Sequence, residues 1–208
     1  MYPLRFPKIF QASLPSAVFY KKNKNKTVYL TFDDGPSPEI TSFVLDELKK
    51  FNAKATFFCI GDKMERYPEI LKEVIGQGHV IGNHTYHHVD AWKISREEYL
   101  QEIIKTEAVI KLYTQTKKIF RPPYGHITPL RLHLIKKQGF KVILWTSIAG
   151  DFKRDINTEK VIKKLSSQTK TGDILVFHDS EKAGDNLKKI LPELLINLNE
   201  KGFKLETL

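Results

Sequence analysis

Thr27-Val28-Tyr29-Leu30-Thr31-Phe32-Asp33-Asp34-Gly35-Pro36-Ser37-Pro38 is the stretch on which the fold turns. Its first six residues are β-branched or aromatic apart from Leu30, the composition of a buried strand. Gly35-Pro36 breaks the run. Ser37 then offers an N-cap and Pro38 suits the first helical position. Ile40, Phe43, Val44, Leu48 and Phe51 follow at helical spacing and form one apolar stripe. The segment is therefore one strand–helix unit, with two carboxylates at the handover.

Downstream the unit recurs. Strands are expected over Ala55 to Ile60, His79 to Gly82, Lys118 to Phe120, Lys141 to Ser147, Asp173 to Phe177 and Phe203 to Glu206. Helices are expected between them: around Glu69 to Ile75, from a Ser95/Glu98 capping box onward, up to Gly139, from about Thr158, and up to Gly202. This alternation predicts an α/β fold with a parallel sheet. The pattern does not separate an open sheet from a closed barrel, but both gather functional residues at the carboxyl ends of their strands.

Upstream, Lys21 to Lys26 (KKNKNK) reads as a solvated connector, dividing an N-terminal arm (1–26) from the main domain (27–208). Met1 to Gln11 carries Arg5, Lys8, Pro3 and Pro7 without an apolar core, so no export signal is expected and the sequence taken alone reads as cytoplasmic. At 208 residues, 41% hydrophobic and 28% charged, the chain suits one soluble globular domain. No apolar run nears the roughly 20 residues of a membrane span. The single cysteine, Cys59, excludes a disulfide framework and a Cys-rich zinc module, and reads as an inert core residue. The net charge of +10, mostly lysine, favours anionic partners, yet no nucleic-acid-binding motif accompanies it. Nothing in the sequence sets an oligomeric state.

At the strand ends stand Asp33-Asp34, then Asn83-His84-Thr85-Tyr86-His87-His88, then Arg121-Pro122-Pro123-Tyr124-Gly125, then Asp151, then His178-Asp179. Each has a plain structural alternative: an Asx turn, surface histidines, a rigid proline loop, a strand-end cap. Adjacent strand residues face opposite ways, so the Gly-Pro turn is expected to bring both aspartates to one cavity. A helical turn after Asn83 would put His84 and His88 on one face, the i, i+4 spacing that suits two imidazoles on one metal. Two histidines and a carboxylate make a metal site with open positions, leaving a second carboxylate and another histidine for acid–base work. Non-haem iron(II) oxygenases share that ligand set, but such a reading gives Asp33, Arg121 and His178 no task.

TFDDGP (Thr31 to Pro36), HTYHH (His84 to His88), RPPYG (Arg121 to Gly125) and ILVFHD (Ile174 to Asp179) resemble, in order, the signature motifs of the NodB-type polysaccharide deacetylases, carbohydrate esterase family 4. The resemblance implies a distorted (β/α) barrel of about seven parallel strands. It implies removal of N-acetyl groups from an N-acetylated glycan, peptidoglycan or a chitin-like oligosaccharide, by a water activated on a divalent metal, Zn2+ first and Co2+ or Ni2+ next. It casts Asp34, His84 and His88 as metal ligands, Asp33 as base, His178 as acid, Arg121 as the residue holding the base and Asp151 as the partner of the acid. The Tyr124 N–H would donate to the oxyanion, and Pro123, Tyr124, Trp145 and Phe177 would contact substrate. The family is often extracytoplasmic. One motif departs from the pattern: Ile148 and Phe152 stand where the family usually has aspartate and tryptophan, which bears on acyl and substrate choice. An O-acetyl ester or small amide substrate, or a carbohydrate-binding pseudoenzyme, are the alternatives on the same fold.

A metal suits these residue types. Bulk water has a pKa near 15.7 and zinc-bound water one of about 7, a gain of roughly 12 kcal/mol towards deprotonation. Without it, a carboxylate of ordinary pKa is too weak a base for water.

Overall fold

The computed structural model describes Leu4, Arg5, Gln11 and residues 13–208. Strands are β1 (Leu4–Arg5), β2 (Thr27–Asp33), β3 (Ala55–Cys59), β4 (Val80–Asn83), β5 (Ile119–Phe120), β6 (Lys141–Val142), β7 (Ser147–Ile148), β8 (Ile174–His178) and β9 (Lys204–Leu205). Helices are α1 (Pro38–Lys50), α2 (Gly61–Arg66), α3 (Pro68–Gly76), α4 (Arg96–Lys111), α5 (Pro129–Lys137), α6 (Thr158–Gln168) and α7 (Glu181–Glu200). Seven parallel strands, in the order β7-β8-β2-β3-β4-β5-β6, curl into a half-barrel with helices packed outside.

Side chains alternate across that curled sheet. Val28, Leu30, Phe32, Phe57 and Phe177 point outward into the layer shared with α1, α6 and α7, where Phe32 meets Phe57 at 5.1 Å and Phe177 at 5.7 Å. Tyr29, Phe58, Ile119, Ile143 and Ile174 form a separate inner cluster. The expected stripe on α1 is realised through buried Ile40, Val44 and Leu48. The capping box forms as read: Ser95 Oγ accepts from the Glu98 N–H at 3.1 Å and Glu98 Oε2 accepts from the Ser95 N–H at 2.9 Å.

Two elements depart from the sequence reading. The run Lys141 to Ser147 is two short strands, because β6 and β7 lie at opposite ends of the parallel array and the chain must cross between them. The described part of the N-terminal arm is woven into the gap so left. Val18 donates to the Val142 carbonyl and accepts from the Leu144 N–H, both at 2.8 Å, and Lys21 donates to Gly172 at 2.9 Å. Leu14 and Phe19 are buried in the core, and β1 pairs antiparallel with β7.

Strand register aligns the site. Asp33 pairs with His178 across β2–β8, Cys59 with Asn83 across β3–β4, and Asn83 with Phe120 across β4–β5. One residue further on, the His84 N–H still bonds the Cys59 carbonyl and the Arg121 N–H the Asn83 carbonyl, each at 3.0 Å. His84 and Arg121 therefore leave their strands in step. No helix among the described residues is long and apolar enough to cross a membrane.

Candidate active site

The aspartates converge through Asp34 itself. Its backbone sits at φ 75°, in the left-handed region that aspartate tolerates better than most residues, so the strand alternation breaks at Asp34, before Gly35. Gly35 then passes so close to Asp179 that a Cβ would lie 2.1 Å from its Oδ2. Asp179 is fully buried and burial pushes its pKa up to about 7, against the hydrogen bond that Thr41 Oγ1 donates at 2.6 Å.

The histidines also converge without a helical turn. Thr85 and His88 have φ of 64° and 56°, and His84 to Asp90 forms a loop. Glu102 of α4 anchors it, accepting from the Tyr86 and His87 N–H groups at 3.1 and 2.7 Å. His84 Nδ1 lies 2.7 Å from the Arg121 carbonyl, which can only accept, so Nδ1 carries a hydrogen and Nε2 is the ring atom turned inward, where it can offer a lone pair to a metal. That Nε2 is 3.5 Å from Asp34 Oδ1, and His88 Nε2 is 3.1 Å from the same oxygen. Asp34 Oδ1 is buried without a hydrogen-bond partner among the described residues. Three lone-pair donors thus face one point, their ligand atoms all within 4.8 Å of one another. Such a set repels itself unless positive charge enters, and it fits a divalent cation.

Arg121 is fully buried within the barrel. Its Nη1 donates to Asp33 Oδ1 and Thr31 Oγ1, both at 2.7 Å, while Nε and Nη2 bond the Ile143 and Leu144 carbonyls at 3.3 and 3.2 Å. Burial lowers its pKa, against the charge and hydrogen bond of Asp33. Across the cavity His178 Nδ1 lies 2.8 Å from Asp151 Oδ1, and Asp151 Oδ2 accepts the His178 N–H at 2.8 Å. Burial works against an imidazolium there, but the adjoining Asp151 carboxylate outweighs it and raises the His178 pKa to about 9.

Asp33, Asp34, His84, His88 and His178 line one cavity of about 580 Å³, walled by Ile60, Tyr124, Trp145, Ile148 and Phe152. Ile148 and Phe152, the residues that depart from the motif, thus face the cavity. Gly125 lies under Trp145, where a Cβ would come within 2.5 Å of the indole. Two substrate-contact expectations fall outside the lining. Phe177 points to the outer layer because it alternates with His178, and Pro123 is buried while Pro122 takes the wall. Lys63 is a lining residue the sequence does not flag; its Nζ donates to the Asp34 carbonyl at 2.8 Å. Glu102 likewise carries no motif signal, since its role exists only once α4 has docked.

The polysaccharide deacetylase family profile matches residues 20–143. The chain belongs to the polysaccharide deacetylase family. It is 38% identical over 173 residues to a peptidoglycan-N-acetylglucosamine deacetylase of Bacillus cereus, covering 80% of this chain and 62% of that protein. It is 32% identical over 202 residues to the peptidoglycan-N-acetylmuramic acid deacetylase PdaC of Bacillus subtilis, covering 97% of this chain and 42% of PdaC. The chain thus spans about three-fifths and two-fifths of these relatives. Among solved structures, the Bc1960 peptidoglycan N-acetylglucosamine deacetylase superposes with TM-score 0.81 at 35% identity, over 93% of this chain and 91% of that one. A mutant of BA3943, a family pseudoenzyme with restored activity, superposes with TM-score 0.83 at 26% identity, over 93% of this chain and 70% of that one. This family member therefore resembles both proteins named as deacetylases and a protein named as a pseudoenzyme.

Proposed function

We propose that this family member hydrolyses the acetamide of an N-acetylated glycan, with peptidoglycan N-acetylglucosamine as the first substrate to test. The observation that carries the reading is the convergence of Asp34, His84 and His88 in the same cavity as Asp33 and His178. Asp34, His84 and His88 would hold a divalent cation, most simply Zn2+, with Co2+ or Ni2+ as substitutes. When bound, it supplies Lewis acidity to a water and to the acyl oxygen.

The chain's own residues do the rest. Asp33, aimed by Arg121, takes a proton from the attacking water. Oxygen adds to the acyl carbon, and the Tyr124 N–H donates to the oxygen that gathers charge. The C–N bond breaks as His178 gives its proton to the departing sugar amine, leaving acetate and the free amino sugar. Arg121 fixes the base and Asp151 keeps the acid charged, so each proton-carrying group has its own partner. Trp145, Ile148 and Phe152 would enclose the acyl methyl.

Acetate release from peptidoglycan and from N-acetylglucosamine oligomers, with added zinc or cobalt, tests the reading. Metal-dependent release is expected; none from any N-acetyl glycan sinks it. The altered motif supports a second reading, in which Ile148 and Phe152 reshape the acyl pocket for an ester. Faster release from acetyl-xylan than from the N-acetyl glycans would favour that one.

A further inference from the structure

The catalytic reading leaves one exposed feature unused. Trp92 is 63% exposed and Tyr124 61%. Single exposed aromatics are ordinary, but these belong to a track of rings that begins at a proposed metal ligand. His88 meets Tyr124 at 4.8 Å, Tyr124 meets His126 at 5.7 Å, and His126 lies flat against Trp92 with centroids 3.5 Å apart and planes 9° from parallel. Asp90 locks the outer pair: its Oδ1 accepts from the Trp92 N–H and lies against His126 Nδ1, both at 2.9 Å. One face of the indole is seated on His126. The other is held open to solvent at a fixed tilt, two rings along from Tyr124 on the cavity wall.

Holding a large apolar ring in water has a cost, and an exposed apolar surface with a polar rim is the mark of a binding site. We propose that Trp92, seated on His126, is the platform of a further sugar subsite, taking a pyranose ring of the glycan outside the cavity. The proposal rests on the glycan reading of the cavity. A pyranose with equatorial hydroxyls presents a face of axial C–H groups, which packs on a flat π surface, while its edge hydroxyls reach polar neighbours such as Asp90. The Asp90 carboxylate stands beside the exposed ring, which suits a sugar better than an apolar peptide segment.

The test is binding without turnover. In Asp33→Asn protein, the N-acetylglucosamine pentamer and dimer are titrated by calorimetry, with and without Trp92→Ala. The pentamer is expected to bind about tenfold more weakly without the indole, the dimer within about twofold, and Trp92→Phe to recover part of the loss. His126→Ala, which removes the seat, is expected to give a smaller loss of the same kind. Equal weakening of both sugars, no weakening of the pentamer, or no pentamer binding at all would overturn the subsite. If the pentamer binds through Trp92 while wild-type protein frees no acetate from it, the deacetylase reading fails and the platform stands.

Discussion

Two histidines face the same cavity from opposite walls, and each has its Nδ1 engaged at nearly the same distance. For His84 the partner is a backbone carbonyl at 2.7 Å, for His178 a carboxylate at 2.8 Å. A neutral acceptor leaves the first imidazole free to be neutral and to offer a lone pair. An anionic acceptor holds a proton on the second. In the proposed mechanism one residue type thus serves as ligand and as acid, and the atom behind Nδ1 decides which.

The largest expected effect breaks the acid–base side alone. Asp33→Asn should lower kcat by about 10³-fold or more with metal content unchanged by elemental analysis, since a general base contributes on the order of 10²–10⁴. Ordinary turnover would remove the base assignment. His84→Ala should do the reverse, losing metal affinity by at least about 100-fold along with activity. Full metal occupancy would mean the ligand set is wrong.

Asp151→Asn sharpens the contrast. With its pKa at about 9, His178 keeps its proton through neutral pH, and the alkaline fall in kcat is expected near that value. Without that carboxylate, burial is opposed only by the lesser charges of Asp34 and Asp33, so the fall should move to lower pH. The same group makes folding pH-dependent: its contribution is complete below the unfolded value near 6.5 and is lost as pH rises through about 9. An unmoved alkaline limb in the variant would detach Asp151 from the acid. His178→Ala should slow amide cleavage more than cleavage of p-nitrophenyl acetate, whose leaving group needs no proton. Smallest is Phe152→Ala, expected to raise KM about two- to fivefold through lost packing at the acyl wall.

Much of this was legible in the sequence because it is local. The β-branched and aromatic run Thr27 to Phe32 marked the strand, and Ser95 with Glu98 set a helix start. The positions proposed as ligands, base and acid stood out as polar residues closing apolar runs, and the family resemblance supplied their roles. The rest depended on tertiary contact. No local pattern marks His84 and His88 meeting through left-handed residues in a loop that Glu102 anchors. Phe177 was misplaced by its nearness to His178, although period-two alternation already put it on the other face. The split of Lys141 to Ser147 follows from closing a half-barrel, which a linear pattern does not encode.

That closure has a practical side. Val18 to Lys21 supplies the hydrogen bonds that β6 and β8 would otherwise present at an open lip. A fragment begun at Thr27, where the strand pattern starts, would keep every side chain of the proposed chemistry. It would also bare unpaired backbone beside apolar Val142 and Leu144, the kind of edge on which chains join end over end into insoluble aggregates. The short run just ahead of the lysine-rich stretch is the hem of the domain.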